Sequence, residues 1–486
     1  MWTPKAFKTR AAKASMHSAV TLVNSATTLT PNSQVASAAN SQASSAAVAE
    51  LTAGLGFVFD QLGGEDEPGD LVQLHLERLA AEAAKYRCSR VADGTGEDWT
   101  CSHAMSQLLQ AACRCSSLVY EPSQQPSLWG LQLAPVLHRT PSMMGTVKAA
   151  SMWKIDHVRI PGWSGKTLMV SIRGTATKAD HMVNMNGESK DASSVFKLEG
   201  VTTSVNAHAG FLACAKTLIP TLTRDIVDQI AVDGAISNIV FTGHSAGGAV
   251  ASLVFLNFVC HSPAQLSSVK YSLVTFGAAP ATSQSLTELC RKQPNVGLLM
   301  AFVNEYDMIS RSDKAYLRSI VDLYRSKYGL PPVASPLLDH QKLAETGGSL
   351  SHIGTTGPSI SSIAVHAGLK AGGVWPLPPP VFHLLGDIIV LRICFDSPEM
   401  KEDSDDAVSP EPLLKTDKVS PDEFCKLLFC DISVHRRTAY LERLNMLVGE
   451  IRLREFGSVG GDTANSITED FAEEVLVELG VTRTAP

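Results

Sequence analysis

From about residue 150 onward, short apolar and β-branched runs alternate with segments whose apolar residues recur at helical spacing. The runs are 155–160, 167–172, 239–242, 271–276, 298–303 and 388–393. Strands that alternate with helices predict a largely parallel central sheet with helices on both faces, which is an α/β fold. Upstream, apolar residues at helical spacing from Leu71 and over 105–120 predict two helices that pack on this core.

Breaks in composition divide the chain into a tail over 1–50, a helical segment over 51–125, the α/β domain over 126–450 and a C-terminal tail with a short helix over 451–486. The first part is rich in Ser and Ala and carries no acidic residue before Glu50. We expect it to be low-complexity and disordered, with a mitochondrial transit peptide as the alternative. Within the domain, 326–380 and 397–422 are expected to be surface insertions because they are rich in Gly, Pro or charge.

The overall composition excludes several classes of function. With 41 Lys and Arg against 48 Asp and Glu, the net charge is −7, and no long basic run is present, so nucleic acid is not an expected partner. The ten cysteines show no Cys-x-x-Cys pairs, so no metal site is predicted. No apolar run of about 18 residues and no apolar signal segment is seen. We therefore expect an intracellular protein, cytoplasmic or peripherally bound to a membrane, and not a secreted one.

The sequence Gly243-His244-Ser245-Ala246-Gly247 stands directly between a predicted strand and a predicted helix. This strand–turn–helix context predicts a nucleophile elbow with Ser245 as the nucleophile. The two outer glycines remove Cβ atoms where the turn brings strand and helix together. The free N–H groups at the start of the helix point toward the negative charge that would develop on a substrate.

A serine nucleophile needs a base to accept its proton and an acid to orient that base. After such an elbow the acid comes next along the chain. Asp307 lies just past the predicted strand 298–303, at the sheet edge that also carries Ser245. Glu305 and Asp313 are the competing acids, although Asp313 is also placed to cap the following helix.

The base should come from a loop after the last strand, so that its ring can lie above the serine. Five histidines follow Asp307: His340, His352, His366, His383 and His435. Only His435 lies beyond the predicted strand 388–393, which makes it the favoured base, with His383 as the alternative.

The tetrahedral intermediate of acyl transfer needs hydrogen-bond donors for its oxyanion. One donor is expected to be the backbone N–H of Ala246, directly after the nucleophile. The other should come from the loop that follows an early central strand. The strand 167–172 leads into Arg173-Gly174-Thr175, so Thr175 is the candidate, through its N–H or its hydroxyl.

Six segments in order resemble the class 3 lipase family of α/β-hydrolases, which includes fungal triacylglycerol lipases and diacylglycerol lipases. They are SIRGT at 171–175, HAGF at 208–211, FTGHSAGG at 241–248, TFGAAP at 275–280, FVNEYD at 302–307 and HRRTAYL at 435–441. The resemblance covers about 150–445 and implies the α/β-hydrolase fold. By that resemblance Ser245, Asp307 and His435 take the triad roles, with Thr175 and Ala246 at the oxyanion hole.

Two departures from the family pattern concern the region around the site. Ala246 stands where Leu is common, which leaves the chemistry intact because the donor is a backbone group. The segment 176–200, where relatives carry a lid, contains Met182, Val183 and Phe196 among polar residues, and is either a mobile cover or a surface loop.

The resulting functional hypothesis is a mono-, di- or triacylglycerol lipase that works through an acyl-enzyme on Ser245. A phospholipase A or general esterase is the second reading, and a non-catalytic lipase-like binding or signalling protein is the third. The expected partner is a lipid ester, with contact to a membrane or lipid-droplet surface. The chemistry calls for no cofactor, and the sequence leaves the oligomeric state undecided.

Overall fold

The computed structural model describes residues 70–121, 133–141, 148–156, 160–174, 187–198, 200, 204–330, 372–395 and 412–456. The predicted N-terminal tail, the predicted C-terminal helix and most of the segment 326–380 lie outside these residues. Thr175 also lies outside them.

The strands in the described residues are β1 (Glu97–Asp98), β2 (Leu133–Arg139), β3 (Ala150–Ile155), β4 (Lys166–Ile172), β5 (Ser189–Asp191), β6 (Asn206–His208), β7 (Ile236–His244), β8 (Lys270–Phe276), β9 (Val296–Asn304), β10 (Asp387–Phe395) and β11 (Pro412–Val419). Nine of them form one sheet in the order β1-β11-β10-β9-β8-β7-β4-β3-β2. β5 and β6 form a separate antiparallel pair.

The centre of the large sheet is parallel. β4, β7, β8, β9 and β10 run in the same direction, and antiparallel strands flank them on both sides. Parallel strands of this kind are covered on both faces, which explains their near-continuous apolar sequences. β7, for example, is buried at every position except Ser237. The carboxyl ends of the five strands therefore share one edge of the sheet.

The helices are α1 (Asp70–Ala83), α2 (His103–Leu118), α3 (Ala209–Val232), α4 (Ala246–Cys260), α5 (Thr287–Arg291), α6 (Lys314–Lys327), α7 (Pro421–Phe424) and α8 (Arg437–Phe456). One apolar cluster contains Phe241 with α1, α3, α4 and α6, and a second contains Val240 with α2 and α8. Neighbouring strand residues point to opposite faces, so the two clusters cover the two faces of the sheet. The predicted α/β-hydrolase architecture is confirmed.

Both upstream helices are present, as α1 and α2. None of the helices in the described part of the chain is both long and apolar enough to span a membrane. α4 comes nearest in composition, since it is apolar on all sides, but it is buried against the sheet almost throughout.

Three predicted boundaries were wrong. The first strand ends at Ile155 instead of beginning there. The expected insertion 397–422 contains β11, an antiparallel partner of β10. The charged residues of this strand hid it, although Asp417 is buried and its charge is paired with Arg392 at 3.1 Å. Finally, α8 continues past residue 450, where the C-terminal tail was expected to start.

Candidate active site

Ser245 makes the turn between β7 and α4 on its own, because β7 ends at His244 and α4 begins at Ala246. Its φ is 59°, in the left-handed region that residues with a side chain rarely adopt. Two backbone bonds hold it there. The Ser245 N–H donates to the Phe276 carbonyl at 3.0 Å, and the Ser245 carbonyl accepts from the Gly248 N–H at 3.0 Å. The chain thus makes the sharp strand–turn–helix that places a nucleophile at the sheet edge.

The glycines around Ser245 are required by close approach of the backbone. A Cβ atom at residue 243 would lie 2.5 Å from the carbonyl carbon of Gly247. One at residue 247 would lie closest to the Ile172 carbonyl and 2.7 Å from the Gly174 nitrogen. One at Gly248 would lie 2.8 Å from the Cβ of Ala278. The elbow is therefore packed directly against the end of β4 and against the loop after β8.

Asp307 lies three residues beyond the end of β9 and is fully buried. Its Oδ1 accepts from the Ile309 N–H at 2.8 Å. Its Oδ2 accepts from His435 Nδ1 at 2.8 Å and from the Tyr440 hydroxyl at 2.6 Å. A buried carboxylate that accepts three hydrogen bonds is held in one orientation. It therefore fixes the ring of His435.

The two competing acids have other partners. Glu305 accepts from the Val91 N–H at 2.9 Å and lies 3.4 Å from Arg392 Nε, and burial raises the pKa of its carboxyl. Asp313 accepts from the Tyr316 N–H at 2.9 Å and caps α6, as its position before that helix predicted.

His435 is buried in the turn before α8, and its ring lies next to His244, with 4.5 Å between the ring centroids. The Nε2–H of His244 donates to the His435 carbonyl at 2.7 Å, which ties the histidine turn to the elbow. Burial, with smaller contributions from the charges of His435 and Arg437, lowers the pKa of His244 well below its usual value. His244 is therefore a neutral donor at physiological pH.

Several buried polar atoms of this arrangement have no hydrogen-bond partner among the described residues, including Oγ of Ser245 and Nε2 of His435, so no hydrogen bond joins these two atoms in the structure. A nucleophile and its base are joined through these two atom types. Buried polar atoms are normally satisfied, and exceptions cluster where chemistry occurs. The elbow and the acid–base pair therefore meet at one edge of the sheet with their reactive atoms uncommitted.

His383, the alternative base, lies elsewhere. Its backbone pairs with Thr282, and it lines a small cavity together with Pro280, Arg311 and Cys425. Burial lowers the pKa of His383, with the charge of Arg311 acting in the same direction. His435, and not His383, makes the hydrogen bond to Asp307, so the geometry favours His435 as the candidate base.

Residues 169–316 match the family model described as lipase (class 3). The match supports a class 3 lipase assignment for this segment, which is about a third of the chain. The matched residues run from β4 into α6 and include Ser245 and Asp307. This similarity supports hydrolysis of lipid esters as the chemistry of the fold. A search among curated proteins gives no match.

Solved lipase structures are similar to this chain at low identity. A triacylglycerol lipase from Penicillium expansum is 18% identical, with 42% of this chain and 72% of that chain covered and a TM-score of 0.32. The triacylglyceride lipase of Rhizomucor miehei is 17% identical, with 44% and 77% covered and a TM-score of 0.33. A lipase from Yarrowia lipolytica is 14% identical, with 44% and 76% covered and a TM-score of 0.33.

Helix α2 is hydrogen-bonded to both strands that lead into the site. Ser171 in β4 donates its hydroxyl to the Cys115 carbonyl at 2.9 Å. Thr242 in β7 donates to the Ala112 carbonyl at 3.3 Å. α2 therefore fixes the ends of β4 and β7 relative to each other.

The segment 176–200 is described only from residue 187, so Met182 and Val183 lie outside the described residues. Its described part begins with β5, and Phe196 is buried in the main apolar cluster. Asn257 in α4 donates to the Val195 carbonyl at 2.7 Å. Within residues 187–198, Val195 and Phe196 thus pack on the core while β5 is exposed, and the alternative between cover and surface loop stays a prediction for the segment as a whole.

Sequence reasoning missed Tyr440, although it belongs to the HRRTAYL segment. Tyr440 is fully buried, donates to Asp307, and accepts from the Asn304 N–H at 2.9 Å. A signal was available, because Tyr440, Leu444 and Leu447 recur at helical spacing and form the buried side of α8.

Proposed function

We propose that this protein hydrolyses carboxylic esters of lipids, acylglycerols first, through an acyl-enzyme on Ser245. The observation that carries the proposal is the hydrogen bond between His435 Nδ1 and the buried Asp307 carboxylate, beside an elbow whose serine Oγ is uncommitted. A non-catalytic lipase-like protein needs none of these groups to be retained together.

In the proposed mechanism His435 Nε2 accepts the Ser245 proton as Oγ forms a bond to the ester carbonyl carbon. The carbonyl oxygen becomes an oxyanion, which we expect two donors to stabilise: the Ala246 N–H, and Thr175 after the end of β4. The intermediate expels the alcohol, which takes the proton from Nε2 and leaves the acyl group on Oγ. Water then gives a proton to Nε2 and attacks the acyl carbon. The second intermediate breaks its bond to Oγ, which takes the proton back from Nε2, and the fatty acid is released. Asp307 keeps its charge and stabilises the imidazolium each time.

The decisive experiment compares wild type with Ser245→Ala in hydrolysis of a soluble short-chain ester. Ser252→Ala is the matched control. Ser252 lies in α4, the helix that follows Ser245, and its hydroxyl donates to the Gly248 carbonyl at 2.9 Å. We expect Ser245→Ala to lose turnover and to lose labelling by a fluorophosphonate, while Ser252→Ala keeps both. Retained turnover in Ser245→Ala would exclude the mechanism.

The substrate class needs a separate comparison. Initial rates on mono-, di- and triacylglycerols, phosphatidylcholine and p-nitrophenyl butyrate should be highest for acylglycerols. Ser245 is fully buried in the structure, so an ester reaches Oγ only after neighbouring residues move. We therefore expect the rate on an acylglycerol to rise when the substrate passes from solution into an emulsion. A higher rate on phosphatidylcholine would favour a phospholipase A instead.

A further inference from the structure

The backbone on both sides of His435 is held by side-chain donors from two different strands. The amide of Asn304, the last residue of β9, donates from Nδ2 to the Val434 carbonyl at 2.7 Å. The Nε2–H of His244, the last residue of β7, donates to the His435 carbonyl at 2.7 Å. The His435 N–H donates to the Ile432 carbonyl at 3.0 Å. Both peptide groups that flank the Cα of His435 are therefore fixed.

Fixing these two peptide groups sets the direction in which the His435 side chain leaves the backbone. Peptide groups are planar, so the only soft backbone dihedrals of a residue are the two that join its Cα to the neighbouring planes. The hydrogen bond from His435 Nδ1 to Asp307 Oδ2 at 2.8 Å then sets the rotation of the ring. The position of Nε2, which accepts the serine proton in the proposed mechanism, therefore depends on contacts made by the backbone.

Asn304 also contacts the loop of the acid. Its carbonyl accepts from the Asp307 N–H at 3.0 Å. Its N–H donates to the Tyr440 hydroxyl at 2.9 Å, and that hydroxyl donates to Asp307 Oδ2 at 2.6 Å. Asn304 is itself held in the sheet, where it pairs with Leu391 of β10. One residue therefore joins the loop of the acid to the turn of the base.

The side chain of Asn304 is fully buried, and its amide is satisfied on one side only. Nδ2 donates to Val434, whereas Oδ1 has no hydrogen-bond partner among the described residues. A buried polar atom without a partner is costly, and a leucine of the same shape would avoid that cost. A leucine would leave the Val434 carbonyl without its donor. The contribution of the amide at this position is therefore the N–H that holds the turn.

We propose that Asn304 is a positioning residue for the base. Its side-chain amide holds the turn that carries His435 and its backbone holds the loop of Asp307, so the end of one central strand sets the distance between base and acid. The inference rests on the proposed ester hydrolysis at Ser245 and deepens it. Asn304 acts through His435 and takes no part in the proton transfer.

The test uses the full chain and compares wild type with Asn304→Leu, which keeps the branched shape of the side chain but has no donor. Asn238→Leu is the matched control. Asn238 is buried near the amino end of β7, remote from Ser245 at the carboxyl end, and its amide donates to the Ser164 carbonyl at 2.8 Å. We measure kcat and KM on p-nitrophenyl butyrate, and the low-field proton NMR signal of the His435 Nδ1–H that is shared with Asp307. This signal reports on the bond between base and acid without any substrate.

Misplacing a catalytic group by about 1 Å lowers an enzymatic rate by about 100-fold. We therefore expect Asn304→Leu to lower kcat by about 10- to 100-fold with KM within about twofold, and to shift or broaden the low-field signal. Asn238→Leu loses a comparable hydrogen bond and should keep both the signal and a kcat within about twofold of wild type. A merely structural role for Asn304 would reduce the folded fraction and leave the signal and the kcat of the folded protein unchanged.

A folded Asn304→Leu that keeps the low-field signal unchanged would overturn the inference, and so would one whose kcat stays within about threefold of wild type. Should this variant fail to fold, Asn304→Ala decides by the same criteria, because it removes the amide and adds no bulk. Failure of both to fold would also overturn the inference, because Asn304 would then be required for folding. Absence of Ser245-dependent turnover in wild type would instead remove the proposed function itself, while the NMR comparison would still test whether Asn304 holds His435 against Asp307.

Discussion

Substituting Gly247 by Ala tests how closely the elbow must fit the end of β4. The added Cβ would lie 2.7 Å from the Gly174 nitrogen and 2.8 Å from the Arg173 carbonyl carbon, where ordinary contact begins at 3.4 Å. Both neighbours are backbone atoms and cannot rotate away. The strand end and the elbow must therefore separate by at least about 0.7 Å at these atoms and by more at the Ile172 carbonyl oxygen, which is the scale at which misplacement lowers an enzymatic rate by up to about 100-fold. The overpacking itself should cost about 1–3 kcal/mol of unfolding free energy.

The assay measures kcat on a soluble ester together with urea unfolding. Gly234→Ala is the control, because Gly234 lies in the exposed turn before β7 and an added Cβ there has nothing within 4 Å. We expect Gly247→Ala to fold with a kcat reduced by about 30- to 100-fold, and Gly234→Ala to stay within about 1 kcal/mol and twofold of wild type. If Gly247→Ala turned over as fast as the control, the argument that β4 and the elbow must keep their spacing would be wrong.

Two further predictions concern side chains around the acid and the elbow. Tyr440→Phe removes the donor to Asp307 and leaves the buried Asn304 N–H unpaired. It should lower the unfolding free energy by about 2–4 kcal/mol, measured by urea unfolding, and kcat by about tenfold, measured by ester turnover. Tyr271→Phe, which loses only a contact to a serine hydroxyl remote from the acid, should keep its kcat. The lowered pKa of His244 means that the unfolded chain binds a proton below pH 6.5 that the folded chain does not. The unfolding free energy should therefore fall on acidification below pH 6.5, by up to about 1.4 kcal/mol per pH unit from this group. In urea titrations between pH 6.5 and 5, His244→Gln should show a weaker dependence of the unfolding free energy on pH than wild type. Equal slopes for the two proteins would contradict the assignment.

Much of the candidate site could be predicted because its signals are local. The elbow needs a buried strand, a tight turn and a helix in immediate succession, and all three are written in adjacent residues around Ser245. Asp307 follows from the rule that parallel strands bring their carboxyl ends to one edge. His435 follows from chain order, and the same order test would have held with β11 counted, since His435 also lies beyond that strand.

The rest depended on contacts that no local pattern contains. β11 was taken for an insertion because Lys415, Asp417 and Lys418 suggest a solvated segment, whereas Arg392 on the neighbouring strand neutralises the buried carboxylate of Asp417. Lys148 gave no signal, because a lysine is among the residues least often buried. The structure buries it completely beside the end of β4, where its Nζ donates to the Gly174 carbonyl oxygen at 3.4 Å.

The hydrogen bonds from β4 and β7 to α2 bear on how the chain could be shortened. A fragment limited to residues 169–316 would keep Ser245 and Asp307 but would lack His435 and the helix that holds the two strand ends. It would also leave the sheet without β3 and β10 and expose apolar surface along both open edges. Such a fragment should aggregate rather than act as a smaller enzyme. The segment that matches the family model is therefore shorter than the segment that must be expressed to obtain a working unit.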